Sequence, residues 1–171
     1  REENGRYAVY VNEIDKDLKV LGTPILLHTF GPNTSSSDIY TALSADRKRL
    51  LLYRYLSGAK NGQLLEYKMM DENFSDLSSQ VIQLDDKAND FMPSYLRIDN
   101  LGNIYILGNS RRDSKQKPKT KSYQMLVYYS VTTGLKIHDI GLEQGDNFGI
   151  KFELVNGIPY AAGLNKNEKE V

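Results

Sequence analysis

The chain contains neither cysteine nor tryptophan. Without cysteine it has no disulfides, no thiolate metal ligands and no thiol nucleophile. It also lacks any apolar run near the roughly 20 residues that a membrane-spanning helix needs. Neither sign of charge is in excess, because 22 basic residues balance 22 acidic ones. The molecule as a whole therefore has no net field to attract nucleic acid or an anionic membrane.

Tyrosine, by contrast, is abundant, with 12 copies in 171 residues, and it favours β-strands. Helical periodicity is nearly absent. Short apolar or alternating runs of about five to eight residues recur instead, separated by Gly, Asn, Asp and Ser, which is typical of strands and turns. Strands are predicted at 7–13, 20–30, 38–43, 50–56, 63–69, 80–84, 94–98, 104–108, 123–130, 135–141, 148–154 and 158–164.

The predicted strands repeat along the chain. A hairpin that turns at Asp46 is followed by a similar hairpin that turns at Asp99, and a shorter copy spans 152–160. A second type of hairpin follows each of the first two, and another copy of it stands near the amino terminus. Two hairpins per unit, with a period of about 50 to 60 residues, are typical of a four-stranded propeller blade.

We therefore predict an all-β fold, a partial β-propeller of four-stranded antiparallel blades. Its parts are an outer half-blade over about 1–30, full blades over 38–84 and 90–141, and an inner half-blade over 148–171. Propellers close with about four to eight blades, so residues 1–171 are expected to form one all-β segment of a larger propeller. A β-sandwich of similar strand count is the alternative.

One stretch resembles a known family. Residues 99–108 follow the pattern D-x-x-G-N-x-Y-x-L-G, after which come a basic loop, a tyrosine-rich strand at 123–129 and Ala161-Ala162-Gly163-Leu164. Together with the segment from Ser44 to Tyr53, this resembles a family of exported β-propeller-like (six-bladed, WD40-like) proteins of Bacteroidota, over about 38–164. Leu164 stands where that family has Phe, and 46–49 replace its D-G-K turn. The resemblance implies a periplasmic or cell-surface location and no particular activity.

Propeller ligands are expected over the central channel, where the innermost strands end. Here the predicted innermost strands are 38–43, 94–98 and 148–154. Their polar and aromatic members Tyr40, Arg97 and Lys151 are the candidate binding residues, although ordinary core and rim positions are the simpler interpretation.

A basic loop between Ser110 and Ser122 is the strongest local departure from average composition. Its six cations outnumber a single acid, Asp113, and form a possible patch for an anionic glycan or a lipid headgroup. The loop has no aromatic residue on which a base could stack, so we expect no nucleic-acid partner. A solvated loop is the simpler interpretation. The six residues are Arg111, Arg112, Lys115, Lys117, Lys119 and Lys121.

No pattern commits the chain to catalysis. His28 and His138 are the only histidines and lack the spacing of a metal or triad site, so neither a metal site nor a cofactor is predicted. Residues 71–76 resemble a calcium loop but lack its central Gly and distal Glu, so a hairpin turn is predicted there.

The favoured function is a non-catalytic binding or scaffold module of a bacterial cell envelope. Its partner would be a protein or a glycan, with the rest of the parent propeller or an envelope complex attached. The alternative is a carboxylate-dependent propeller enzyme, a glycoside hydrolase or lyase. In that case acids around the channel would converge on one pocket, drawn from Asp38, Asp90, Asp146 and Glu153.

Overall fold

The computed structural model describes residues 2–3, 5–32, 38–58, 62–84, 91–111, 122–143 and 149–164. Every regular element in these ranges is a β-strand, which confirms the all-β prediction. Each of the twelve predicted strands overlaps an observed one, and only the first observed strand was not predicted. In chain order the strands are β1 (Glu2–Glu3), β2 (Arg6–Ile14), β3 (Val20–Phe30), β4 (Tyr40–Leu43), β5 (Arg49–Gly58), β6 (Gly62–Asp71), β7 (Asp76–Gln83), β8 (Met92–Ile98), β9 (Ile104–Arg111), β10 (Ser122–Ser130), β11 (Gly134–Glu143), β12 (Gly149–Val155) and β13 (Ile158–Leu164).

The chain divides into two compact units, Arg1–Asp38 and Ile39–Val171. The first holds one antiparallel sheet in the order β1-β2-β3. The second holds sheet I (β4-β5-β6-β7), sheet II (β8-β9-β10-β11) and the final hairpin (β12-β13), all antiparallel. Strands that are consecutive in sequence are neighbours in each sheet, so every described sheet is a simple meander.

Three of the tight turns are stabilised in the same way, by an aspartate at the first position of the turn. In the turns that begin at Asp15, Asp71 and Asp99, the Oδ1 atom accepts backbone N–H groups two and four residues further on, at 2.8–2.9 Å. Such Asx turns hold the chain for the next strand. The hairpin turn predicted at Asp71 is thereby confirmed. The fourth residue of each turn has a positive φ, and these residues are Leu18, Phe74 and Gly102.

The two inner hairpins of sheets I and II differ in turn length. The pair Leu43–Leu50 closes the β4–β5 turn, and the pair Ile98–Ile104 closes the β8–β9 turn. Six residues (44–49) therefore lie between the two members of the first closing pair, and five (99–103) lie between those of the second. The repeat predicted from the sequence is present in the structure. The position in sheet I that corresponds to Asp99, however, lies two residues before Asp46.

Ser44 occupies the position in sheet I that Asp99 occupies in sheet II. Its Oγ accepts the N–H of Arg49 at 3.0 Å and donates to Asp46 Oδ1 at 2.6 Å. Asp46 thus acts inside the turn, and the extra residue of this turn explains why the two aspartates are not equivalent.

The middle of sheet II, around β9, is buried on both faces. One face packs against sheet I and the other against the final hairpin, because successive residues of a strand point to opposite sides. On the first side Leu96, Ile98, Ile104, Ile106 and Val127 join a core with Leu51, Leu65, Tyr67 and Met69 of sheet I. On the second side Tyr105 and Leu107 pack with Phe152. The three sheets are therefore layered in series, and β8 contacts both β4 and β12.

The inner turns of these three sheets are also connected to one another. Asn100 accepts the backbone N–H of Asp46 at 3.1 Å through its side chain, and its carbonyl accepts from the Arg49 guanidinium. The Tyr105 hydroxyl lies 3.2 Å from Asp99 Oδ2 and 3.4 Å from the carbonyl of Gly157 in the final hairpin. Burial, together with the nearby Asp99 carboxylate, raises the pKa of Tyr105 to about 12. The phenol is therefore a neutral donor at neutral pH.

The Asp99→Ala substitution tests the importance of this buried turn. Asp99 is 7% exposed and accepts four hydrogen bonds, from two backbone N–H groups, the Asn103 amide and the Tyr105 hydroxyl. Removing them all is expected to lower the free energy of unfolding by about 2–4 kcal/mol. Asp71→Ala is the matched control, since its exposed turn loses two bonds and should cost about 1 kcal/mol. Urea unfolding measures both, and equal losses would contradict the assignment.

Candidate functional site

The three binding residues predicted from the sequence lie along one row that crosses the inner strands β4, β8 and β12. The Tyr40 ring stacks on Tyr53, with centroids 5.5 Å apart and planes at 27°. Tyr53 in turn interacts electrostatically with Arg97, and Arg97 binds Glu153. Lys151 is two residues from Glu153 on β12, so the two side chains leave the same face of the strand. We call the four residues on β4, β8 and β12, together with Tyr53 of the neighbouring strand β5, the inner-strand row.

Arg97 and Glu153 form a two-pronged ion pair between sheet II and the final hairpin. Arg97 Nε donates to Glu153 Oε2 at 3.1 Å, and Nη2 donates to Oε1 at 3.0 Å. Nη1 donates to the Leu96 carbonyl at 3.1 Å, which fixes the guanidinium plane. The side chains are 36% and 64% exposed, so water screens the pair and it contributes to orientation more than to stability.

The ion pair also sets the charge state of its carboxylate. Hydrogen bonds from Arg97, and then its positive charge, hold the pKa of Glu153 below the ordinary range, with a smaller contribution from Lys151. The same pairing raises the pKa of Arg97. A general acid in glycoside cleavage needs a raised carboxyl pKa, and Glu153 shows the opposite shift.

Tyrosines fill the sheet I end of the row. Tyr55 meets Tyr53 edge-on, with ring centroids 5.6 Å apart at 74°. Burial raises the pKa of Tyr53, and it raises the pKa of Tyr55 further, with Tyr53 and Tyr40 as the next contributors. Their hydroxyls are therefore protonated at neutral pH.

An open groove lies where β4 and β8 run side by side. It encloses about 360 Å³, within the roughly 300–1,000 Å³ of small-molecule sites. Its walls are residues 41–43 of β4, Tyr53 of β5 and residues 94–97 of β8. Arg97 is thus both a member of the row and part of this groove.

A β-bulge at Ser94 shapes the groove wall. Pro93 pairs with Gly108 and Tyr95 pairs with Leu107, so Ser94 is an extra residue in β8. Without the bulge Pro93 and Tyr95 would share a face, and with it they point to opposite sides. Bulges re-aim side chains in this way, often beside binding sites.

The backbone of β8 lies unusually close to β9 at the same place. A methyl group on Gly108 would meet the Met92 carbonyl oxygen at 2.5 Å and the Phe91 ring at 2.7 Å. Only glycine fits there. The bulge and the groove are therefore fixed by the packing of the sheet.

The basic loop joins β9 to β10. Its first cation, Arg111, ends β9, where its backbone pairs with Ser122. The other five lie outside the residues that the structure describes, and the charged patch stays a prediction. They are Arg112, Lys115, Lys117, Lys119 and Lys121.

Only part of the catalytic alternative can be compared with the structure. Asp90 and Asp146 lie outside the described residues, and Asp38 belongs to the first unit. Glu153, the remaining acid, is held by Arg97. The convergence of these four acids stays a prediction.

The histidines are strand residues. His28 contacts the edge of Phe30 with ring centroids 4.5 Å apart, and His138 lies on β11. Among the described residues, no group of three or more His, Asp or Glu side chains could hold a metal ion. That part of the chain also contains no helix long and apolar enough to cross a membrane.

Three contributors to the site were not predicted as binding residues. Tyr53 lies directly opposite Tyr40 in the β4–β5 ladder, and hairpin register would have paired them. Tyr95 and Glu153 lie two positions from Arg97 and Lys151 respectively, so strand alternation places each on its neighbour's face. The ion pair itself joins residues 56 positions apart and left no local signal.

Comparison of the chain with protein-family models, with curated proteins and with solved structures finds no match. Its function is accordingly inferred from the geometry of its own residues.

Replacing Arg97 with methionine tests the electrostatic assignment. Arg97→Met removes the donors and the charge that lower the pKa of Glu153, so this pKa should return to the ordinary carboxyl range. Titration of the Glu153 carboxyl carbon by NMR measures it. In the native protein the pairing stabilises the folded state at pH values above the ordinary carboxyl pKa. This stabilisation is lost as the pH falls through the lowered pKa of Glu153.

Lys151→Met is the control for that titration, because Lys151 makes the smallest contribution. The pKa of Glu153 should change clearly less in Lys151→Met than in Arg97→Met. Equal shifts in both variants would mean that general surface charge, and not the two-pronged pair, sets the titration.

Proposed function

We propose that this chain is a non-catalytic binding module, a β-propeller segment that presents the inner-strand row to its ligand. The observation that carries the proposal is the adjacency of β4, β8 and β12, the first strands of three successive sheets. In a propeller the innermost strands line the central channel. The inner-strand row then lies where propeller ligands bind.

The layering of the sheets supports the propeller over the sandwich. A two-layer sandwich buries one face of each sheet, whereas β9 of sheet II is covered on both faces by successive parts of the chain. Each four-stranded sheet is a meander, as in a propeller blade. The first unit is likewise an antiparallel sheet of consecutive strands, β1-β2-β3.

The row is suited to binding more than to bond cleavage. Its only carboxylate, Glu153, is compensated by Arg97 and has a lowered pKa. Its phenol Tyr53 is protonated at neutral pH. Such groups donate and accept hydrogen bonds without transferring protons near pH 7.

The resemblance to exported Bacteroidota proteins supports a place in the cell envelope, in the periplasm or at the surface. We propose that the module acts there as part of a larger propeller or an envelope complex.

A retention experiment tests this function. The immobilised chain is exposed to an envelope extract of a Bacteroidota bacterium, and the retained glycan and protein are measured. The double variant Arg97→Met/Glu153→Gln removes both charges of the ion pair without changing net charge. Retention should fall by about tenfold, the effect of losing roughly 1.4 kcal/mol of binding.

The matched control makes the same chemical change on the outer strands. Lys68 and Asp76 form an ion pair between β6 and β7 at 2.7 Å, and Lys68→Met/Asp76→Asn removes it. This control variant should retain as much envelope glycan and protein as the native chain does. Equal retention by all three proteins, or none by the native chain, would overturn the proposed function.

A further inference from the structure

The groove between β4 and β8 has the size of a small-molecule site. It holds about 360 Å³, enough for a small molecule or part of a chain. Its walls come from β4 and β5 of sheet I and from β8 of sheet II.

The groups around the groove both donate and accept hydrogen bonds. Arg97 uses three of its five N–H bonds on Glu153 and the Leu96 carbonyl, which leaves two donors. Glu153 does not itself line the groove but is bonded to Arg97, which does; each Glu153 oxygen accepts one of these bonds and keeps further lone-pair capacity. Thr41 and Ser94 are also among the residues that line the groove. Mixed donor and acceptor character of this kind matches hydroxyl groups, each of which can do both.

The charge balance favours an uncharged ligand. The positive charge of Arg97 is met by Glu153 at 3.0 Å, and the lowered pKa keeps that carboxylate ionised at neutral pH. An anionic ligand would compete with Glu153 for the guanidinium, and a cationic one would meet Arg97. A polyhydroxylated neutral ligand avoids both costs.

An aromatic residue is among those that line the groove. Tyr95 is 37% exposed, and its pairing with Leu107 puts its side chain on the same face of β8 as that of Arg97. A tyrosine offers an apolar ring face with a polar tip. The C–H face of a sugar ring packs on such a surface while its hydroxyls reach the polar groups around it.

We propose that this groove binds a neutral saccharide, with Tyr95 under the sugar ring and the Arg97–Glu153 pair on its hydroxyls. The inference rests on the proposed function, because it names the ligand class for one part of the inner-strand row.

Calorimetric titration of the full chain tests the proposal. The probes are neutral oligosaccharides of glucose, mannose, galactose and xylose, with uronic-acid oligosaccharides as charged counterparts. At least one neutral probe should bind, and more tightly than its charged counterpart. Tyr95→Ala should weaken that binding by about two- to tenfold, the usual worth of an aromatic contact. Tyr95→Phe keeps the ring and should bind within about twofold of the native chain.

Phe74→Ala is the control, since Phe74 lies in the turn between β6 and β7, is 38% exposed and does not line the groove. It should leave affinity unchanged. Tighter binding of uronic acids, or no binding of any neutral probe, would overturn the saccharide assignment even if the envelope extract is retained. Neutral binding that Tyr95→Ala leaves intact, or that Phe74→Ala weakens equally, would overturn the location. Loss of envelope retention together with intact saccharide binding would count against the broader function alone.

Discussion

The two buried faces of β9, the second strand of sheet II, fix which parts of the chain lie on either side of it. Along β9 the residues alternate between two apolar sides, with Ile104 and Ile106 toward sheet I and Tyr105 and Leu107 toward the final hairpin. A strand with two apolar faces cannot leave either in water without losing the free energy of burial, about 25 cal/mol per Å² of apolar surface. The sheet therefore needs a neighbour on each side, and the chain supplies them in sequence.

This layering brings the first strands of the three sheets together and so creates the candidate site. Side chains that lie far apart in sequence become neighbours only because β8 contacts β4 on one side and β12 on the other. The linked inner turns, through Asn100 and Tyr105, hold one end of these strands in register. The Arg97–Glu153 pair then orients polar groups on a frame that packing has already fixed.

Much of this frame could be predicted from the sequence, because strand alternation and turn chemistry are local. The predicted strands 20–30 and 158–164 agree with β3 and β13 at both ends. The strand predicted at 80–84 begins earlier, at Asp76, because backbone pairing with β6 continues through polar residues that carry no apolar signal. The predicted equivalence of Asp46 and Asp99 was wrong, because the length of each turn, and not the residue type, decides which turn position an aspartate occupies. The groove and the ion pair depend on contacts between sheets, which no local pattern encodes.

We propose that successive sheets fan out from adjacent inner strands, and distances between turns at one end of the sheets test this arrangement. Since the chain has no cysteine, introduced pairs carry the only spin labels. One pair, Lys48→Cys with Leu101→Cys, spans the inner turns, and the other, Glu72→Cys with Thr132→Cys, spans the outer turns. Pulsed electron paramagnetic resonance should give a clearly longer distance for the outer pair. Equal distances, as in two aligned layers about 10 Å apart, would contradict the account.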